Sequence, residues 1–305
     1  MSADIVFKAL TPQVNAALRP DGGWFVNNAG WVTGTKATLV IDTFASERRT
    51  LEMMEAVGMS QTAGVGETEM LLVLTHAHGD HANGAGLVEA AGAAVHASGQ
   101  ACEEIHTLGI QTFPGLLHTP DWGAVSPPKS CEPLTGTHIF DLGGLEAEVT
   151  ALPFPAHTDG DVYVHLPAER ILFAGDLVWN QVTPLAFSGS VTQWIDQLDS
   201  LAMRHDVTVV PGHGAVGGPD LIDSTRRYLD WIVSLAQEVI AGTELSAQSL
   251  MRRRAGLEWD GWSCPERDLA NVPRAVSDID GQPYDEMSAM SAMRDCCGGL
   301  IRLQA

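Results

Sequence analysis

The chain is 305 residues long, 45% apolar and 18% charged, a balance that permits a buried core and excludes a disordered chain. A length near 300 is the upper limit for one core, so a single large domain or two layers folding together is expected, with room for an appendage. Acidic residues outnumber basic ones 38 to 17, a formal charge of −21 with the 11 histidines neutral, which disfavours a nucleic-acid partner and an anionic membrane face.

Residues 1–8 lack the basic and apolar segments of an export signal, and no stretch reaches the roughly 18 apolar residues of a membrane helix, so a cytoplasmic location is expected. Residues 38–42 and 70–74 are apolar runs of strand length. Between them, 47–57 carries Leu51, Met54 and Val57 at three-residue steps, the spacing of an amphipathic helix. A helix over 86–91 and a strand over 94–97 continue an alternation that predicts an α/β fold. Residues 99–136 are rich in Gly, Pro, Thr and His and read as irregular apart from a helical piece over 101–108; such a segment inside a compact domain is usually functional. Strands return at 146–152, 162–166, 171–174 and 207–210, and helices are predicted over 194–203 and 221–240. The tail from 243 reads as helical, with Arg252, Arg253 and Arg254 on a solvated face. Cys102, Cys131, Cys264, Cys296 and Cys297 are odd in number and form no CxxC pair, the pattern of reduced thiols.

The chemistry is concentrated in Thr75-His76-Ala77-His78-Gly79-Asp80-His81, directly after an apolar run. Side chains two apart on an extended backbone point the same way, so His76 and His78 can grip one metal, while Asp80 and His81 face a second position beside it. Satisfied core histidines are a poor explanation of four ligand-competent side chains within six residues. Three more candidates stand just beyond predicted strands: His157 in Pro155-Ala156-His157-Thr158, Asp176 in Phe173-Ala174-Gly175-Asp176, and His213 in Pro211-Gly212-His213-Gly214. Each alone is as readily a cap or core residue; together they point to one rim.

HxHxDH followed by strand-terminal His, Asp and His resembles the metallo-β-lactamase fold superfamily over roughly residues 20–220. The resemblance implies an αββα four-layer sandwich, of α/β class, over residues 1–220, with 221–305 as a helical extension packed on the same domain. It implies a dinuclear centre in which His76, His78 and His157 hold one ion, Asp80, His81 and His213 hold the other, and Asp176 bridges. Nitrogen and carboxylate ligands favour two divalent zinc ions, with iron or manganese as alternatives. Water between two such cations ionises near neutral pH and the metals polarise a carbonyl, so hydrolysis of an acyl bond is expected, with Asp80 orienting the water and shuttling its proton. On the expectation of a cytoplasmic location, a β-lactamase role is disfavoured.

Gly22-Gly23-Trp24-Phe25-Val26-Asn27-Asn28, Ala156-His157-Thr158-Asp159-Gly160-Asp161 and Val182-Thr183-Pro184-Leu185-Ala186-Phe187-Ser188 are similar to runs in cyclases and thioesterases of bacterial aromatic polyketide pathways, in the pattern of the actinorhodin-type second-ring cyclase. That resemblance implies a polyketide acyl thioester, tethered to an acyl carrier protein, with aldol ring closure and thioester cleavage at the same metals. A general zinc-dependent thioester or lactone hydrolase is the alternative. Trp24, Trp31, Trp122, Trp179 and Phe187 fall in loops or strand ends and are candidate flat walls of the pocket, and His118 is a candidate acid or base. Carrier proteins are usually acidic, so docking one demands a basic patch, for which Arg252, Arg253 and Arg254 are the obvious cluster. Oligomeric state is left open.

Overall fold

The structure, a computed structural model, is described over residues 4–59, 68–118 and 121–303. Strands β1 (Val6–Ala9), β2 (Val14–Leu18), β3 (Ala29–Thr33) and β4 (Ala37–Ile41) form an antiparallel meander. Helix α1 (Glu47–Val57) separates β4 from β5 (Glu69–Val73), which lies parallel to it. The short helices α2 (Gly79–Ala82) and α3 (Ala85–Ala90) precede β6 (Ala94–Ser98), and α4 (Gly99–Leu108) follows it. After the two-residue β7 (Leu117–His118), strand β8 (Glu132–Leu134) pairs with β6 and completes a seven-stranded sheet.

The second sheet contains β9 (Gly136–Asp141), β10 (Glu146–Ala151), β11 (Val162–Leu166), β12 (Ile171–Trp179) and, after helix α5 (Val191–Ala202), β13 (Thr208–His213), in the order β13-β12-β11-β10-β9. Helices α6 (Asp220–Ile240) and α7 (Ala247–Arg254), a 3-10 turn at Pro265–Arg267, α8 (Asp268–Asp280) and α9 (Glu286–Cys296) complete the chain, with β14 (Ile301–Arg302) paired to β7.

Apolar side chains fix the layering. Leu39, Ile41 and Val73 of the first sheet meet Val149, Val164, Phe173 and Val210 of the second between the sheets. The other face of the first sheet packs Val40, Leu72 and Val95 on Met53, Met54, Val88 and Ile105 of α1, α3 and α4. The other face of the second sheet packs Leu172, Val178 and Val209 on Trp194, Leu198, Ile222, Leu229 and Val272 of α5, α6 and α8. The fold is the αββα sandwich, and helices from beyond residue 220 share a core with β12. Continuous apolar runs belong to strands covered on both faces, as in β4 and β12, whose residues are all buried.

Three expectations are corrected. Cys102 and Cys131 are joined in a disulfide, Cα atoms 5.6 Å apart, because β8 adds to β6 and so returns the chain to α4, which follows β6 directly. Linear spacing conceals that return. The bond is of the kind kept in oxidising compartments and gives the cytoplasmic expectation no support. Secondly, Arg254 is not solvated: it is 1% exposed and donates two hydrogen bonds to Asp268 and one to Thr183 Oγ1, while Arg253 pairs with Glu238. Thirdly, β12 does not stop at Ala174 but runs through Asp176 to Trp179, with register shifts on either side of Gly175, whose φ is +52°. Among the described residues no helix is long and apolar enough to cross a membrane.

Candidate metal centre

The seven expected ligands come together as two adjoining groups, His76, His78, His157 and Asp176, and Asp80, His81 and His213, each group with ligand-capable atoms within 4.8 Å of one another. His76 and His78 stand in the turn after β5, and the first turn of α2 carries Asp80 and His81. His157 lies in the loop between β10 and β11, Asp176 on the irregular stretch of β12, and His213 ends β13. The irregularity at Gly175 is of the kind that re-aims a side chain, and here Asp176 meets both groups. Close approach demands glycine next to it: a Cβ on Gly212 would lie 1.9 Å from Asp176 Oδ1. Asn28 splints the His213 turn, its Nδ2 donating to the carbonyls of Pro211 and Gly214 at 2.8 Å and its backbone N–H to Gly212 at 2.7 Å.

Side-chain partners hold three of the five imidazoles. His81 Nδ1 is 2.8 Å from Asp42 Oδ2, His76 Nδ1 is 3.1 Å from Thr75 Oγ1, and His78 Nε2 is 3.2 Å from Ser188 Oγ. Asp42 also accepts from the Thr75 backbone N–H and hydroxyl, so one carboxylate fixes both the His81 ring and the turn that carries His76. Such contacts select the tautomer and leave the other nitrogen for a ligand role.

Burial and charge set the protonation of the cluster. Burial, reinforced by His81, holds His76 well below its ordinary value, and burial pushes His157 down to about 3. Burial also lowers His78. On His81 burial acts in the same direction, but Asp176, Asp42 and Asp80 outweigh it and hold the ring well above its ordinary value. Burial would raise Asp176, but His213 and His81 outweigh it and hold the carboxyl well below the usual range.

The donor set fits divalent metal. His76 Nε2, His81 Nε2 and Asp176 Oδ1 are buried without a hydrogen-bond partner, although His81 Nε2 and Asp176 Oδ1 are only 3.1 Å apart. Buried polar atoms left unpaired at such proximity cost free energy that a cation between them would recover. Neutral imidazoles and ionised carboxylates are the metal-binding forms.

A narrow cavity of about 40 Å³ opens onto the cluster, lined by His78, Asp80, His157, Asp176 and His213 together with Trp24, Phe25, Phe113, Leu116, Leu185, Phe187, Trp179 and Arg267. Three of the expected wall residues, Trp24, Trp179 and Phe187, are among them. Trp31 and Trp122 are not: Trp31 packs in the core beneath α1 with Phe7 on its edge, and Trp122 stacks on Phe25 at 5.3 Å, behind the wall. His118 is exposed on β7 and lines no part of this cavity. Sequence reasoning missed Phe113 and Leu116, which the irregular segment supplies, and Arg267, which the 3-10 turn supplies. The only signal for Arg267 was a cation beside a buried-type Trp-rich tail, which linear sequence does not place.

The fold and cluster define an αββα protein with two adjoining buried His/Asp groups that could hold metal. The family model of the Metallo-beta-lactamase superfamily matches residues 22–213, and the chain belongs to that superfamily. It is 28% identical over 178 residues to the acyl-coenzyme A thioesterase MBLAC2 of Gallus gallus, covering 55% of this chain and 60% of that relative's length. It is 26% identical over 239 residues to the metallo-beta-lactamase type 2 of Bacteroides fragilis, covering 75% and 87%. With the atrochrysone carboxyl ACP thioesterase of Claviceps purpurea it shares 26% over 215 residues, 68% of this chain and 58% of the relative. Among solved structures, a metallo-beta-lactamase from Pontibacter korlensis matches with TM-score 0.59 at 21% identity, over 74% of this chain and 99% of that one, a likeness of fold.

Proposed function

We propose that the protein is a dinuclear metal-dependent hydrolase of acyl thioesters, and that its acyl group is a flat, polyketide-like one. The observation that carries the proposal is the aromatic-walled cavity with five residues of the seven-residue cluster, His78, Asp80, His157, Asp176 and His213, on its lining. Two relatives bearing thioesterase names, one of coenzyme A and one of ACP esters, support the bond class.

Divalent cations in the cluster, zinc by the donor set and iron or manganese as alternatives, would supply Lewis acidity toward both water and the acyl carbonyl. His76, His78 and His157 on one side and Asp80, His81 and His213 on the other are the residues that would hold them, with Asp176 between. Asp80 Oδ2 lies 3.2 Å from His213 Nε2 and borders the cavity, so this carboxylate orients the attacking water and passes its proton to the departing thiolate. Trp24, Phe25, Phe113 and Phe187 exclude solvent from the acyl group and present flat faces to it. In a polyketide acyl group the same environment favours an enolate, which extends the proposal to aldol ring closure before cleavage.

A second reading, a general hydrolase of coenzyme-type or free thioesters and lactones, is favoured by Arg254. Its burial, with Arg253 committed to Glu238, removes the basic patch expected to dock an acidic carrier protein. Mass spectrometry on a carrier-bound polyketide analogue and on its coenzyme A counterpart separates the readings. Loss of water with ring formation supports the cyclase; release of unmodified acid from both restricts the protein to hydrolysis; turnover of neither overturns the proposal.

A further inference from the structure

One side chain in the cavity lining carries a charge that the chemistry above does not use. Arg267 is 2% exposed, yet no carboxylate pairs with its guanidinium among the described residues. Its Nη1 donates to the Thr183 carbonyl at 2.8 Å, and its Nε is buried with no partner. The group is held between two indoles, Cζ 4.5 Å from the ring centroid of Trp24 and 5.0 Å from that of Trp179. Both indoles are themselves fixed: Trp24 Nε1 donates to Glu266 Oε1 at 2.7 Å, and Trp179 Nε1 to the Asp176 carbonyl at 2.6 Å.

Cation–π contact with two indoles stabilises a guanidinium by less than the cost of burying a cation without a counter-ion. The neighbouring acidic side chain, Glu266, is turned to Trp24. Flanking indoles leave the in-plane N–H edge as the part able to bind, and that edge suits a planar carboxylate or enolate. Trp179 also lies face to face with His213 at 4.2 Å, so a single indole separates Arg267 from a metal ligand.

We propose that Arg267 is a specificity-determining residue that binds an anionic oxygen on the acyl part of the substrate, a carboxylate or an ionised 1,3-dicarbonyl. This rests on the thioesterase reading for its substrate but not for its binding chemistry. Short reach from the metal ligands favours the acyl group over the phosphates of a coenzyme or carrier arm, which lie many bonds from the thioester sulfur.

The test compares the glutaryl thioester of N-acetylcysteamine with the same thioester whose distal carboxylate is capped as its methyl ester; the two differ in charge and contain no phosphate. With metal content and Tm checked for each variant, R267M should reduce the ratio of kcat/KM for the free carboxylate over its methyl ester by roughly 10- to 100-fold, mainly through KM, and R267K should restore part of it. An equal loss on both substrates would mean that Arg267 only braces Trp24 and Trp179, and overturns the proposal. So would an Arg267 dependence confined to butyryl-coenzyme A, which would assign the guanidinium to phosphate. Should R267M not fold, R267K and R267Q carry the same comparison. An equilibrium measurement stands apart from turnover: intrinsic fluorescence titrated with N-propylglutaramate and with its methyl ester. If wild type hydrolyses no thioester but still binds the anion at least tenfold more tightly than R267M does, the thioesterase reading falls and the anion site stands. Equal binding by wild type and R267M overturns the anion site.

Discussion

The indole of Trp179 lies flat on the imidazole of His213, centroids 4.2 Å apart and planes within 3°. One strand-end tryptophan thus orients a ligand-capable histidine, forms a cavity wall and flanks Arg267. Removing the ring by W179A should cost about 3–5 kcal/mol, as for other buried Trp→Ala changes, and leave His213 without its lateral support. W179F keeps a stacking face and loses the Nε1 hydrogen bond to Asp176 and part of the ring's packing, so it should retain full metal content while melting a few degrees lower. Metal content by atomic emission, read beside Tm, checks the distinction.

Asp42 touches the cluster only through His81 and Thr75, yet its two oxygens hold the His81 ring and the His76 turn. D42N should weaken metal binding by roughly 10- to 100-fold while leaving secondary structure unchanged, the usual cost of losing a carboxylate behind a ligating histidine. Competition against a chromophoric chelator reads this directly, and unaltered affinity would remove Asp42 from the positioning role.

Arg254 and Asp268 are both essentially unexposed and meet through two hydrogen bonds, with Tyr228 also donating to Asp268 at 2.6 Å. Truncating one partner strands the other charge, so R254M should destabilise by about 3–5 kcal/mol in urea unfolding. By contrast, R253Q, which breaks only the exposed pair with Glu238, should cost about 1 kcal/mol or less. Similar small values for both would contradict the burial of Arg254.

Glu89 supplies the pH dependence. Burial would raise its carboxyl, but the backbone N–H groups of Lys129 and Ser130 and the Ser130 hydroxyl outweigh burial and hold it below its ordinary 4.5. A depressed folded-state value means that the ionised form is the stabilising one. Its contribution is therefore complete above pH 4.5 and disappears as pH falls through the lower folded-state value. The Tm of E89Q should lie below wild type at pH 7 and converge with it at low pH; a gap that persists unchanged in acid would assign the effect to packing instead.

The juxtaposition of the His/Asp cluster was legible in sequence because its chemistry is dense and punctuated: four ligand-capable side chains in six residues, then His157, Asp176 and His213 each within two residues of a Gly or Pro. Helix α1 and strand β11 were legible to the residue through their periodicity. Strands β1 and β9 were not, since every β1 residue is exposed and all but one of β9 are. Trp31 and Trp122 show the limit for pocket walls: a tryptophan in a loop or strand end serves equally as core or as wall, and only three-dimensional packing decides. Arg254 and Arg267 show the same for charge, because a buried guanidinium and a solvated one are spelled alike.

The central claim, that these seven residues hold two ions whose presence enables thioester cleavage, is tested by titrating zinc into metal-free protein while following the initial rate on an aromatic acyl thioester. The rate should rise to a plateau at two equivalents for wild type and stay near zero throughout for D176N. A rate already maximal without metal, or a D176N curve that matches wild type, would contradict the claim.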